Sequence, residues 1–325
     1  MCVQATINLP VLIIAFQRLE NLKAIVEKCI ANGVTQIYIS VDGPPRDSQI
    51  KIRNFAAISS FLLELESNPR LFVSTHINTH NVGCSANVLN SIDWFFSKVE
   101  FGVILEDDCI PEDSFFLFAR LSVPILNGND ECKIAGGSQF FSVAEYGNVD
   151  WIMGKYPIIW GWITTRDNWF QLSSLMEIAI VQNHYPFDLL GSPDDLFWAA
   201  GMRRASLGFI DAWDAVLAYV FHKNNFKCLL PAVSLVKNIG NDDHAVHNMK
   251  DNKQIQMTTG IFTNGSSWPK YIPEMDEWYR RNVYRIGFRN LISTRVTRVL
   301  DFLMPKRAVH QNLESRWRGM ESFKP

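Results

Sequence analysis

The sequence is short of several features that would fix a function early. No part of its 325 residues is an apolar run approaching the ~20 residues that a membrane-crossing helix needs. The N-terminus has no basic segment followed by a long apolar one, so no secretion signal is expected. Six cysteines, Cys2, Cys29, Cys84, Cys109, Cys132 and Cys228, are scattered without a CxxC pair or a zinc-like spacing. Free thiols in apolar surroundings behave as small hydrophobes, and a reducing, cytoplasmic compartment is expected. No G-x-G-x-x-G follows the first strand-like segment and no G-x-x-x-x-G-K-[ST] occurs, which excludes a Rossmann dinucleotide site and a phosphate loop. A formal net charge of −2 lacks the basic surplus of a nucleic-acid binder, so no nucleic-acid partner is expected.

That balance hides an asymmetry. From Arg280 to Pro325 eleven Lys/Arg face three Asp/Glu, a net of +8, which leaves −10 for the rest of the chain. Twelve per cent aromatics, ten of them Trp, points to a large core and aromatic-lined clefts.

Apolar runs alternate with amphipathic ones along the first hundred residues. Residues 10–16, 36–41, 70–76 and 99–105 read as strands. Residues 19–32, 47–66 and 85–98 read as the helices between them. This order means βαβ units and a mostly parallel sheet. After Lys133 the pattern loosens: 133–136 reads as a further strand, 158–164 is rich in Trp and Gly, 210–224 reads as a helix, and 228–236 is apolar again.

Four of the strand ends carry polar signals: Gln17-Arg18, Asp42-Gly43, Asn81 to Ser85, and Glu106-Asp107-Asp108. In open parallel sheets these ends converge on one rim, where ligands bind. The last is the most informative, because three adjacent carboxylates repel one another and a sheet core cannot hold them unpaired. Asp113 and Ser114 already serve to cap the next helix. Without a Gly-rich loop or a lysine cradle for a phosphate, a divalent metal, Mg2+ or Mn2+, is the natural counter-charge for the triplet.

The segments "PVLIIAFQR", "ISVDG", "VILEDDCIPEDSFF", "YPIIWGWITT", "AWD" and "AVH" occur here in a familiar order. Over roughly residues 10–250 the chain resembles nucleotide-sugar glycosyltransferases of the GT-A fold, N-acetylglucosaminyltransferase I and its bacterial relatives in particular. The resemblance implies a single GT-A-like (Rossmann-type) α/β domain with a mostly parallel sheet flanked by helices. It implies Asp108 as the direct metal ligand, Asp107 facing the ribose or the metal's shell, and Glu106 lining the donor sugar. Arg18 and Asp42 resemble the groups that hold the nucleotide, with Asp42 accepting from a uracil-type N–H. His247 matches a histidine near the diphosphate. Trp160, Gly161 and Trp162 match the acceptor side of the cleft. Where bacterial relatives carry basic residues, this chain has Ser85-Ala86, so its grip on the diphosphate differs.

An inverting transferase needs a base for the acceptor hydroxyl. The resemblance favours Asp214, because relatives place an Asp-bearing helix just before the apolar strand that is "LVKNIGN" here. Asp194-Asp195 in "GSPDDLFW" is the alternative, and the same pair also reads as a helix N-terminus. The expected domains are 1–255, catalytic, and 256–325, a basic helical extension. Within the extension Ile292, Val296, Val299, Leu300 and Leu303 follow one helical face flanked by Arg289, Arg295 and Arg298. Such a helix over 285–305 fits either the inner face of the cell membrane or a docking surface, a second subunit included. The reading is thus a metal-dependent inverting transferase, moving a sugar from a UDP-type nucleotide-sugar to a saccharide or lipid-linked acceptor. A sugar-nucleotide nucleotidyltransferase and a non-catalytic sugar-binding relative are the rivals.

Overall fold

The computed structural model describes residues 8–147, 149–182, 192–240, 260–263 and 268–286. β1 (Val11–Ala15) is buried at every position. Because side chains alternate across a strand, Val11, Ile13 and Ala15 enter one apolar cluster while Leu12 and Ile14 enter the other. α1 (Leu19–Ala31) follows and buries Leu22, Ile25, Val26 and Cys29, a stripe at helical spacing. Gly33, at φ +76°, ends it.

β2 (Gln36–Val41), α2 (Gln49–Glu66), β3 (Phe72–Ile77), α3 (Cys84–Phe96) and β4 (Phe101–Glu106) complete the alternating half. β5 (Cys109–Pro111) comes directly after the acidic triplet and leads into α4 (Asp113–Gly128). The second half contains β6 (Cys132–Gly136), β7 (Trp151–Gly154), β8 (Trp162–Thr165), α5 (Arg166–Gln182), α6 (Pro193–Ser206), α7 (Trp213–Asn224), β9 (Lys227–Pro231) and β10 (Val236–Asn238). β11 (Lys270–Tyr271) and α8 (Pro273–Trp278) lie farther along the chain.

Nine strands form one mixed, mostly parallel sheet in the order β11-β7-β9-β6-β8-β4-β1-β2-β3. β1 pairs in parallel with both β2 and β4, so the strand order reverses beside it. That reversal opens a crevice at the carboxyl ends of β1 and β4, the place where open α/β sheets take ligands. A second, two-stranded sheet pairs β10 antiparallel with β5, with Asn238 opposite Cys109. It brings the residues after β9 back over the acidic triplet.

Two details differ from the sequence-based expectation. The N-cap of α4 is Glu112, and neither Asp113 nor Ser114 caps it. Asp113 instead binds Lys28 Nζ at 2.8 Å, and Ser114 Oγ accepts from the backbone N–H of Phe262 at 3.2 Å. Residues 268–286, expected in a separate extension, contribute β11 to the main sheet and bury Met275 and Tyr279 in its core. The Tyr279 hydroxyl donates to Gln139 Oε1 at 2.8 Å and accepts from the N–H of Phe140. Among the described residues no helix is long and apolar enough to cross a membrane, and Cys29, Cys84, Cys109, Cys132 and Cys228 are free thiols.

Candidate functional site

β4 is parallel to β1 with Glu106 level with Ile14, so Asp107 follows at the level where β1 ends and faces the turn after it. The Asp107 carboxylate accepts from the backbone N–H of Phe16 at 2.9 Å and from Arg18 Nη1 at 2.7 Å. Its own N–H donates to the Ile14 carbonyl, closing the strand pair. Arg18 also reaches Asp108 Oδ2 at 3.8 Å. The guanidinium therefore couples two of the three carboxylates.

Asp108 sits under the β5–β10 sheet. Its Oδ1 accepts from Cys109 Sγ at 3.3 Å and Asn238 Nδ2 at 3.4 Å, and its carbonyl accepts from the N–H of Ile239. Gly240 lies so close that a Cβ there would overlap Asp108 Oδ2. The backbone at 240 is thus packed closely against that oxygen, an approach that a side chain there would oppose. Burial first, and the Asp107 charge second, raise the Asp108 pKa above the ordinary carboxylate value.

Glu106 feels the crowding most. As a residue it keeps some exposure, yet its carboxyl is enclosed. Burial, then the charges of Asp108, Asp107 and Asp214, push its pKa up to about 8. Asp214, in the first turn of α7, is thus close enough to Glu106 to act on it electrostatically. The Cys84 thiol, at the start of α3, is pushed up to about 12 by burial and by Glu106, Asp211, Asp214 and Asp42. It is no nucleophile in that setting.

Asp42 is 4% exposed and fully engaged with the loop after β3. It accepts from the N–H groups of Gly43 (2.9 Å) and Val82 (3.0 Å), and from the side-chain amides of Asn78 (3.3 Å) and Asn81 (2.9 Å). Burial raises its pKa while these bonds work the other way. Its carboxylate shapes the rim by holding residues 78–82; with its lone pairs so occupied, it is poorly placed to read a base, contrary to the sequence expectation.

The remaining assignments separate. Trp162 is 1% exposed, packed against Trp169 and Trp213 with ring centroids 6.1 and 6.2 Å away, so it offers no ring to a sugar and is corrected to a core residue. Trp160 stays partly exposed and stands edge-on to Phe140 at 5.1 Å. Gly161 adopts φ +63°, and a Cβ there would press on Val236 and Leu105, which fixes the turn between them. Asp194 pairs with Arg280 Nε at 3.0 Å. Asp195 completes a capping box with Ser192 at the start of α6 and meets His222 Nε2 at 2.7 Å. These bonds, His222 first, hold its pKa down to about 2. Both carboxylates have structural employment away from the triplet. His247 lies outside the described residues.

Three contributors were not anticipated. Asp211 accepts from the backbone N–H of Cys84 (2.9 Å) and Ser85 (3.1 Å), occupying the N-terminus of α3. Gly240 packs its backbone closely against Asp108. Gln17, 9% exposed, accepts from Asn54 through its amide oxygen, while its amide nitrogen is buried without a partner among the described residues. Only Gln17 had a sequence signal, its place at a strand end.

Among the described residues no group of three or more His, Cys, Asp or Glu could hold an ion on protein ligands alone. The donor set at Asp108 fits a hard cation of another kind, one held by one or two carboxylates with the remaining oxygens drawn from water and a substrate's phosphates. Asp108, half-buried at the end of the triplet, is the carboxylate that suits that role.

No family model matches the chain, and none of the curated proteins does. Among solved structures it is similar to HddC from Yersinia pseudotuberculosis, at 16% identity and a TM-score of 0.31 over 56% of this chain and 85% of that one. It is similar to the same protein complexed with GMP-PN at 15% identity and a TM-score of 0.31, with the same coverage. Likeness at this level assigns neither family nor activity.

Proposed function

We propose that the chain is a GT-A-like glycosyltransferase that moves a sugar from a nucleotide-diphospho-sugar, of UDP type, to an acceptor hydroxyl with inversion. The observation that carries this reading is the strand-end rim itself. Arg18, Asp107, Asp108 and Glu106 meet at the crevice beside β1, and Asp214 acts on Glu106 from α7. The resemblance of the motif order to nucleotide-sugar transferases supports it.

In this reading Asp108 holds Mn2+ or Mg2+ together with the donor's diphosphate. When bound, the ion supplies charge neutralisation of the departing nucleoside diphosphate. Arg18 keeps Asp107 and the β1 turn in place and lies within reach of the nucleotide. Glu106 lines the donor sugar; its raised pKa lets it donate a hydrogen bond as a neutral acid. Asp214 takes the proton of the acceptor hydroxyl as that oxygen bonds to the anomeric carbon from the face opposite the leaving phosphate oxygen. The bond to the diphosphate breaks in the same displacement. Trp160 is the ring available to the acceptor side. The acceptor is a saccharide or lipid-linked saccharide.

Titration calorimetry with UDP-sugars, with and without manganese, tests the reading. Saturable binding that requires manganese and disappears in Asp108→Ala is expected. No binding in either condition would overturn it. Consumption of a nucleoside triphosphate with a sugar 1-phosphate would make the protein a nucleotidyltransferase instead.

A further inference from the structure

α6 and α7 form an antiparallel pair, tied at the far end by Asp195 and His222. Between them runs a cavity of ≈ 430 Å³, within the range of small-molecule pockets. Phe197, Ala200, Gly201 and Arg204 lie on one face of α6 at spacings of three and four. Asp214, Ala215 and Ala218 face them from α7, and Tyr284 and Ile159 help to close the sides.

The helix directions give this groove a polar end and an apolar end. Arg204 closes α6 and Asp214 opens α7, so both stand beside the turn that joins the helices. Phe197 and Trp198 stand near the other end, about 10 Å away at 1.5 Å rise per residue. The small residues in between, Ala200, Gly201, Ala215 and Ala218, leave the width. Gly201 is the most telling: a Cβ there would meet only the Ala215 methyl, at 3.8 Å, so the helices do not require a glycine, and an added side chain would enter the space at little cost.

We infer that this groove binds the apolar aglycone of the acceptor, an alkyl or aryl group carried next to the attacked hydroxyl. The hydroxyl lies at the Asp214 end and the aglycone runs along Gly201 toward Phe197 and Trp198. The inference rests on the reading of Asp214 as the base, and it narrows the acceptor from saccharides in general to those carrying an apolar group. A wholly polar oligosaccharide has no use for a wall of two aromatics and three alanines, because each of its hydroxyls would lose water without gaining a partner.

The test is a calorimetric titration of the full chain with methyl, butyl and hexyl β-glucosides, all below their micelle concentrations, without donor. Affinity is expected to rise by about fourfold per methylene while the groove fills. Gly201→Leu should flatten that dependence. Gly201→Ala, which the 3.8 Å spacing accommodates, should weaken hexyl binding by a smaller factor and serves if the leucine variant does not fold. Equal affinity for the three glucosides, or a chain-length dependence unchanged in a folded Gly201 variant, overturns the inference. Because no donor or metal is present, failure here is separate from failure of the nucleotide-sugar reading, which the manganese titration decides.

Discussion

Replacing Asp195 by alanine separates the two candidate bases. Its carboxylate does three things at the start of α6. Oδ2 accepts from the N–H of Ser192 and from its hydroxyl, and Oδ1 meets His222 at 2.7 Å. Loss of a helix cap costs about 1 kcal/mol. The pKa of about 2 against an ordinary 3.8 would convert to about 2.4 kcal/mol at full strength. With the Asp195 side chain 39% exposed, solvent screens most of that, and about 1 kcal/mol is the reasonable share. The two contributions act through one carboxylate and overlap, so the expected total is about 1–2 kcal/mol, or a fall in Tm of about 1–3 °C for a chain of this size.

The sign with pH follows from the depressed pKa. The stabilisation is fully present above the unfolded value near 3.8 and is lost as pH falls toward about 2. Thermal or urea unfolding at neutral pH should therefore show the deficit of Asp195→Ala, and the gap to wild type should narrow between about pH 4 and pH 2. Manganese-dependent donor binding and transfer should persist, since the carboxylate is spent on α6 and α7. If Asp195→Ala melts with wild type yet stops transfer, the capping account is wrong and Asp195 is the base.

Other substitutions address the rim and the tail. Asp214→Asn keeps shape and removes basicity, so donor binding should hold while transfer drops by about 10² or more in a steady-state assay. Gly240→Ala places a methyl against Asp108 Oδ2; manganese-dependent nucleotide binding should weaken at least tenfold by calorimetry while the circular dichroism spectrum stays wild-type. Deleting residues 287–325, whose Ile292, Val296 and Val299 stripe and basic flanks suit an anionic leaflet, should abolish co-sedimentation with anionic vesicles and spare transfer to a soluble acceptor; full-length protein that ignores such vesicles refutes the membrane contact.

The alternating half of the fold was legible because each of its strands is a short apolar run stopped by turn residues. β1, β2 and β4 fall within two residues of the expected limits, and Gly33 ends α1 as expected. The second half was less so, since β7 to β11 are two to five residues long and their partners are remote in sequence. Trp160-Gly161-Trp162 shows what pattern alone misses. Two residues apart on a strand, both rings would share a face, but Gly161 at φ +63° breaks the alternation, sending Trp162 into the core and leaving Trp160 partly exposed. Asp195 was half legible: Ser192 three residues earlier announces the capping box, whereas His222 is 27 residues away. For Asp42 the strand end was visible and the function of the carboxylate was not, because Asn78 and Asn81 lie 36 and 39 residues on.

The electrostatics of the rim argue for one further step. Arg18 is shared between Asp107 and Asp108, while Glu106 and Asp214 add carboxyls nearby. Burial first, and the neighbouring carboxylates second, lead Glu106 to hold its proton to about pH 8. A diphosphate brings more negative charge to this place. Helix N-termini are the usual backbone answer to a phosphate, and the N-terminus of α3 stands at this rim, but Asp211 already occupies the N–H groups of Cys84 and Ser85. Ser85-Ala86 supplies no cation of its own. In the proposed reading an anionic donor would need a second positive charge to arrive with it, a divalent ion held by Asp108 and the donor's phosphates. On the proposed reading, the carboxylates that repel a bare nucleotide are what would make donor binding conditional on metal, and calorimetry with and without manganese reads that dependence directly.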